Sequence, residues 1–519
     1  MNHMLTIADA VAKHARLTPD KLGTRDSRRA LSFAAWNERA SCLASGLLRA
    51  GLCPGARVAV IAYNCIEWME IYVAMARAGL VVVPLNFRLT APEIAYILDN
   101  AQADGLIAGP EFCATLDTLR SQLRIANGLW ITIDEQPGTG WAGYEALIAS
   151  GRAEDRFPSV PAQDCCALMY TSGTTGRPKG AIRSHQGSTL IALATALEMG
   201  FTRDNSALLV MPLCHANSLY FATTFIHLGG SCIIDDHRSF DPEALLATLA
   251  RERVTFTSLV PTHYIMMLAL PEAVKRRYDV SAVSKLLVSS APARPDTKRA
   301  ILKFFGNSQL YELYGSTEAG WVTLLRPDEQ LTKAGSVGRE WAGSGAIRLL
   351  DEHRNEVPDG QVGELFSRTA YVFDGYWKNP QKTVEAFDGH WCSVGDMARR
   401  DEDGFIWLVD RKSNMIISGG ENIYPSEVEA VVGAHPKVRD VAVVGVPHDK
   451  WGEAVLAIVV LHQGEHSSTQ EIRDWCKQRL AGFKCPTEVR FIDDAQMPRT
   501  ATGKILHRLL RQQLVAEPG

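Results

Sequence analysis

A layered α/β fold in two or three domains is predicted by three features of the sequence. Strand-like apolar runs alternate with helix-like stretches from about residue 58 to 310, the pattern of largely parallel sheets covered on both faces by helices. After Gly335 short strands and turn residues take over, as in Pro358-Asp359-Gly360 and Gly363-Glu364-Leu365, which predicts a β-rich subdomain. At 519 residues the chain exceeds what one core can fill.

The elements follow in order. Thr6 stands before Ile7, Ala10, Val11 and His14 with Asp9 three positions on, a capped helix start. Residues 58–62 read as a buried strand and 79–84 as another, with a helix over 68–78 between them. Further strands are expected over 165–169, 208–211, 232–234, 254–260 and 286–288, and helices over 242–251 and 296–305. Residues 343–350 are expected to begin the β-rich part. The polar break Asp410-Arg411-Lys412-Ser413 places a boundary near residue 411. The expected division is an N-terminal domain over 1–411, with its β-rich part at about 335–411, and a small α+β domain over 412–519. The latter is expected to hold helices over 425–432 and 469–480 and strands over 438–444 and 455–461.

Composition narrows the class. Hydrophobic residues make up 46% and charged residues 22%, values of an ordinary globular protein rather than a disordered or fibrous one. The formal net charge of −4 offers no broad basic surface for nucleic acid. The eleven cysteines are scattered, with no Cys-x-x-Cys pair. Residues 1–20 lack the apolar core of a secretory signal, and no run of about 18 apolar residues could span a bilayer. A reducing, cytoplasmic setting with no transmembrane segment is expected.

The most informative stretch is Tyr170-Thr171-Ser172-Gly173-Thr174-Thr175-Gly176-Arg177-Pro178-Lys179-Gly180, entered from the apolar run Cys165-Cys166-Ala167-Leu168-Met169. Its glycines let backbone N–H groups turn toward one point, and concave runs of such groups bind anions. Hydroxyls and a lysine add donors, so a polyphosphate is a natural guest; a plain polar surface loop has the same composition. The order differs from Gly-x-x-x-x-Gly-Lys-Ser/Thr, so this is not a P-loop. It does resemble the phosphate-binding signature of the adenylate-forming enzymes, among them acyl- and aryl-CoA synthetases of the AMP-forming type, and that resemblance covers nearly all the chain from about residue 30 onward.

What the resemblance implies is carried residue by residue. Thr171, Ser172, Gly173, Thr174, Thr175 and Lys179 would hold the β- and γ-phosphates of ATP. In Tyr311-Glu312-Leu313-Tyr314-Gly315-Ser316-Thr317-Glu318, Tyr314 would pack on adenine, Thr317 meet the α-phosphate and Glu318 hold Mg²⁺; a hard divalent cation takes carboxylate and phosphate oxygens. Ser290, Ala291, Pro292, Glu312 and Gly315 join the nucleotide set. Asp396, in Ser393-Val394-Gly395-Asp396, would accept from both ribose hydroxyls, as an acceptor-only carboxylate can, with Arg411 beside it. Lys504, ending Pro498-Arg499-Thr500-Ala501-Thr502-Gly503-Lys504, matches the catalytic lysine of a mobile loop, and His215 matches a histidine beside the acyl pocket. Ser418, Gly419 and Gly420 would line the pantetheine tunnel of coenzyme A, and Trp451 would border its nucleotide. Departures are Ser413, where relatives carry a charged hinge residue, and Ser289-Ser290, where glycines are frequent.

The function implied is an ATP-dependent carboxylic acid:CoA ligase working through an acyl-adenylate, with a mobile C-terminal lid. The acyl pocket would draw on Asn217, Ser218, Tyr220, Val260, Pro261, Thr262, Ser289, Ser290, Ala319, Gly320 and Trp321. The bulk of Trp321 and the lack of a basic residue in that set predict a short, branched, cyclic or aromatic monocarboxylic acid. The alternatives are a medium- or long-chain fatty acyl-CoA ligase, an acyl-AMP ligase that loads a carrier protein, and, in another class, a nucleotide-binding protein without turnover. Expected partners are the acid, ATP with Mg²⁺, and CoA, with no nucleic acid; a homodimer is an assembly such a chain could form.

Overall fold

The computed structural model describes residues 5–171, 178–290, 293–418, 421–448, 450–499 and 505–516. The chain forms two compact units, Met1–Ala346 with Ser367–Cys392, and Ile347–Phe366 with Ser393–Gly519.

The first unit is built on parallel sheets between helices, as the alternating pattern predicts. One sheet runs, in spatial order, Ala142–Gly143, Trp130–Thr132, Gly105–Ala108, Arg57–Ile61, Val81–Pro84, Cys165–Thr171 and Lys179–Ser184. Its strands are parallel except for the last pair, a hairpin that sets Thr171 directly opposite Lys179. A second sheet runs Arg339–Glu340, Gly320–Leu325, Gln309–Ser316, Lys285–Val288, Phe256–Leu259, Ser206–Leu209, Ser231–Ile234, Leu22–Arg25 and Ala30–Ser32. It is parallel through the middle and closed by antiparallel pairs at both ends. Val58, Val60, Val82, Leu106 and Ile107 are buried on the first sheet, in keeping with strands covered on both faces.

Local signals explain the helices. The Thr6 hydroxyl accepts from the Asp9 N–H while the Asp9 carboxylate accepts from the Thr6 N–H, a complete capping box for the helix Ile7–Leu17. The helix Pro242–Arg251 starts with proline after an Asp241 side chain that accepts from Glu243 N and Ala244 N.

In the second unit, Arg348–Leu350, Gly363–Phe366, Asp396–Arg400 and Ile406–Arg411 form an antiparallel sheet, the β-rich texture expected after Gly335. Within 343–350 only Arg348–Leu350 forms a strand, while Ser344 makes an isolated antiparallel bridge to Thr369. A further sheet centres on the long hairpin Val438–His448 and Gly452–Leu461. The helices Pro425–Gly433 and Thr469–Lys477 pack Val428, Val432 and Ile472 against it. No helix among the described residues is long and apolar enough to cross a membrane.

Candidate active site

Three elements of the first unit converge. Thr171 ends one strand of the hairpin and Lys179 begins the other, so a chain leaving Thr171 must come back beside it. The strand Gln309–Ser316 carries Glu312, Tyr314 and Gly315, and turns through Thr317, Glu318 and Ala319 into Gly320–Leu325. That turn is tight. Gly320 has φ +73°, and a Cβ there would lie 2.6 Å from the ring of Tyr371, so glycine is required.

Glu318 is 6% exposed, and among the described residues its carboxylate accepts from neutral hydroxyls. Its Oε1 accepts from the Thr171 hydroxyl at 2.9 Å and from the Tyr376 hydroxyl at 3.0 Å. Two neutral donors on one oxygen orient a carboxylate without neutralising it, and Oε2 has no hydrogen-bond partner among the described residues. The main chain is held from behind. The Arg183 guanidinium donates to the carbonyls of Thr317 and Glu318 at 3.3 and 3.2 Å and to that of Tyr371 at 2.7 Å. Lys179 sets its ammonium 4.2 Å from the centre of the Tyr376 ring, within cation–π range. The result is an oriented carboxylate and a lysine at one edge of the sheet, the donor set for a polyphosphate and a hard divalent cation. Among the described residues no group of three or more His, Cys, Asp or Glu could hold a metal ion by itself.

Next to this lies a buried ion pair. Lys298 is completely buried and meets the carboxylate of Glu312, whose other oxygen accepts from the Ala293 N–H at 3.3 Å. Burial pushes the Glu312 carboxyl above its ordinary range, with the Lys298 charge opposing that. The pair ties the chain after Ser290 to the strand of Tyr314. Ser290 itself has φ +68°, a conformation in which glycine is the easy residue.

Among the residues expected to line the acyl pocket, Asn217 Nδ2 donates to Ser289 Oγ at 2.9 Å, and Ser289 Oγ lies 3.2 Å from Ser258 Oγ. Asn217 Oδ1 and His215 Nε2 are buried with no hydrogen-bond partner among the described residues. Burial, and then the charge of Arg88, lower the His215 pKa to about 4, so the ring is neutral near pH 7. Trp321 is buried in a wall of aromatics. Its indole N–H donates to Thr195 Oγ1 at 3.0 Å, and its ring sits edge-on to Tyr220 at 5.2 Å and near Phe221 at 5.5 Å.

The second unit holds its own set. Asp396 and Arg411 face each other across antiparallel strands, and Arg411 Nε donates to Asp396 Oδ1 at 3.1 Å. The turn before Asp396 is anchored by Glu364, which accepts from Ser393 Oγ at 2.7 Å and from Lys412 Nζ at 2.8 Å. Ser418 ends the strand Ile416–Ser418 and pairs with Gly452. Trp451 is 39% exposed and stacks on His448 at 4.3 Å. Ser413 is exposed. Arg499 and Ile505 pair across the segment that contains Lys504.

The expected residues Ser172, Gly173, Thr174, Thr175, Ala291, Pro292, Gly419, Gly420 and Lys504 lie outside the described residues. Sequence reasoning missed Tyr376, Arg183, Lys298 and Glu364. Each acts through a long-range contact with no local signature; the one hint is Gly375 before Tyr376, with φ +130° and no room for a Cβ beside Thr383.

Comparison with known proteins gives the same picture. A family model described as AMP-binding enzyme matches residues 11–377, and one described as AMP-binding enzyme C-terminal domain matches 427–504. The chain is 34% identical over 512 residues to an indoleacetate–CoA ligase of Aromatoleum aromaticum, covering 98% of each. It is 36% identical over 506 residues to a feruloyl-CoA synthase of Amycolatopsis sp, covering 96% of this chain and 97% of the relative. The solved structure of an anthranilate CoA ligase in complex with anthranoyl-AMP superposes with a TM-score of 0.89 at 25% identity, covering 99% of this chain and 98% of the other.

Proposed function

Because this chain belongs to the AMP-binding enzymes and is an AMP-forming acid–thiol ligase, we propose that it converts an aromatic monocarboxylic acid to its CoA thioester. The observation that carries the choice of acid is the wall around Trp321. An indole fixed by Thr195 and edged by Tyr220 cannot swing aside to admit a long chain without losing a buried hydrogen bond. The relatives named for indoleacetate, ferulate and anthranilate support this reading. So does the neutral His215, which offers no cation to a second carboxylate. The buried, unpartnered Asn217 Oδ1 and His215 Nε2 would suit a polar group on the ring.

The proposed chemistry runs in two steps. The substrate carboxylate oxygen attacks the α-phosphorus of ATP, the bond from that phosphorus to the α,β-bridging oxygen breaks, and pyrophosphate leaves. The CoA sulfur then attacks the acyl carbon, its proton is lost, and AMP leaves. Lys179 would face the phosphates, Thr317 the α-phosphate, Tyr314 the adenine, and Asp396 with Arg411 the ribose. Glu318 would hold Mg²⁺, with phosphate oxygens as co-ligands. That ion offsets the repulsion between the carboxylate and the triphosphate. Lys504 is assigned the charge that stabilises the first transition state, and Ser418 and Trp451 are assigned to CoA. We place the movable lid after Arg411, with Ser413 as hinge; a hinge needs only to absorb backbone rotation.

The test of the acid is kcat/KM across acids of increasing length, for the wild type and Trp321→Gly. Aromatic acids should lead in the wild type, and longer acids should gain in the variant. A second measurement isolates Lys504. In Lys504→Ala, acyl-AMP formation should fall by orders of magnitude, while supplied acyl-AMP and CoA still give thioester. Equal loss of both half-reactions in a folded variant would overturn that assignment.

A further inference from the structure

Beside the motif residues, a strip of chain with no recognised signature links Lys179 to Glu318. Phe373 N–H donates to the Glu318 carbonyl at 2.7 Å, and Asp374 N–H donates to Ile182 O at 3.1 Å. Ile182 N–H donates to Gly375 O at 2.9 Å, and Trp377 N–H to Gly180 O at 2.7 Å. Tyr376 bridges antiparallel to Ala181. The strip therefore lies along the Lys179–Ser184 strand as an extra edge while its start is bonded to the Glu318 main chain. Tyr376 is 6% exposed and fixed from its own backbone by Thr383, whose hydroxyl accepts its N–H at 2.9 Å. From there its hydroxyl reaches Glu318 Oε1 at 3.0 Å, and its ring face lies 4.2 Å from the Lys179 ammonium.

We propose that Tyr376 is a positioning residue for MgATP: its hydroxyl aims the Glu318 carboxylate at the divalent cation, and its ring aims Lys179 at the phosphates. The first half rests on the reading of Glu318 as the cation's carboxylate. The physical case is a division of labour. Arg183 and Phe373 fix the Glu318 backbone, which leaves side-chain rotation as the remaining freedom. Two hydroxyl donors on Oε1 stop that rotation and leave Oε2 for the ion. Lysine, a flexible point charge, loses direction without a surface to rest on, and the electron-rich ring supplies one.

The experiment is calorimetric ATP binding by the full chain, without acid or turnover, in Mg²⁺ and again in EDTA. Tyr376→Phe keeps the ring and its packing but removes the hydroxyl. It should bind ATP as the wild type does in EDTA and lose roughly tenfold in the Mg²⁺-dependent gain, the size expected for one hydrogen bond to a charged group. Tyr376→Leu removes the ring as well and should also weaken binding in EDTA. In a Glu318→Gln background the effect of Tyr376→Phe on the Mg²⁺ gain should vanish, since the two residues act as one unit. If Glu318→Gln alone leaves the Mg²⁺ gain intact, the Glu318 reading itself is wrong. If Glu318→Gln abolishes that gain but Tyr376→Phe does not alter it, or weakens binding equally in EDTA, the role of the Tyr376 hydroxyl is overturned. Equal EDTA affinity for the Leu and Phe variants would overturn the role of the ring.

Discussion

Lys298 and Glu312 form their pair with the lysine fully buried, where charges are costly unless matched. Removing one partner leaves the other uncompensated, so Lys298→Met should destabilise the protein by about 3 kcal/mol, read from the denaturant midpoint of the first transition. It should also raise the KM for ATP, because the Glu312–Ala293 hydrogen bond that holds the chain after Ser290 loses its anchor. A variant with unchanged midpoint and unchanged KM would show that the pair holds nothing. Glu318 differs: that carboxylate is also buried but accepts from hydroxyls rather than from a lysine. Glu318 was singled out by its place after Tyr314-Gly315-Ser316-Thr317, whereas Lys298 reads in the sequence as one more charge on the amphipathic helix Pro295–Phe304. Its burial depends on where that helix docks, which no local pattern encodes.

Among the elements, the helix His507–Ala516 is tied down by an ion pair: His507 Nε2 lies 2.6 Å from Glu429 Oε1, which also accepts from Val443 N–H at 2.8 Å. Burial pulls the His507 pKa down, but the bond to Glu429 and the charges of Glu429 and Asp410 outweigh it, and the net shift is upward from 6.5. The sign follows. A histidine with a raised folded pKa lends its full stabilisation below the unfolded value and loses it as pH rises through the folded one. Amide exchange in this helix, corrected for intrinsic rate, should show protection that declines as pH rises above about 6.5, and His507→Gln should lack that decline. Protection that is flat with pH in the wild type would contradict the pairing. Regular elements of this kind were well foreshadowed: the helix Pro242–Arg251 matches its expected bounds, and the strand Val438–His448 extends four residues beyond the expected 438–444. The strip that carries Tyr376 was not foreshadowed. Its pairing with the Lys179–Ser184 strand runs over only a few residues, too short a run for side-chain alternation to show.

At the scale of the whole molecule, the residues proposed for the site are divided between the two units: Thr171, Lys179, Glu312, Tyr314 and Glu318 in one, Asp396, Arg411, Ser418 and Trp451 in the other. The alternation of strands and helices and the change of texture after Gly335 were enough to anticipate both architectures, because period and turn chemistry are local properties. In the function proposed, the acid is selected by the aromatic wall around Trp321, which is assembled from strands and helices far apart in sequence and so was open to only a partial reading. The most direct test of the central claim is product analysis with ATP, Mg²⁺ and a panel of acids, with and without CoA. The account predicts pyrophosphate and AMP as products and a thioester only when CoA is present. It also predicts kcat/KM for aromatic monocarboxylic acids at least about tenfold above that for straight-chain acids of a dozen carbons, as about 1.4 kcal/mol of transition-state discrimination would give. Release of ADP, or a preference for the long straight-chain acids, would contradict it.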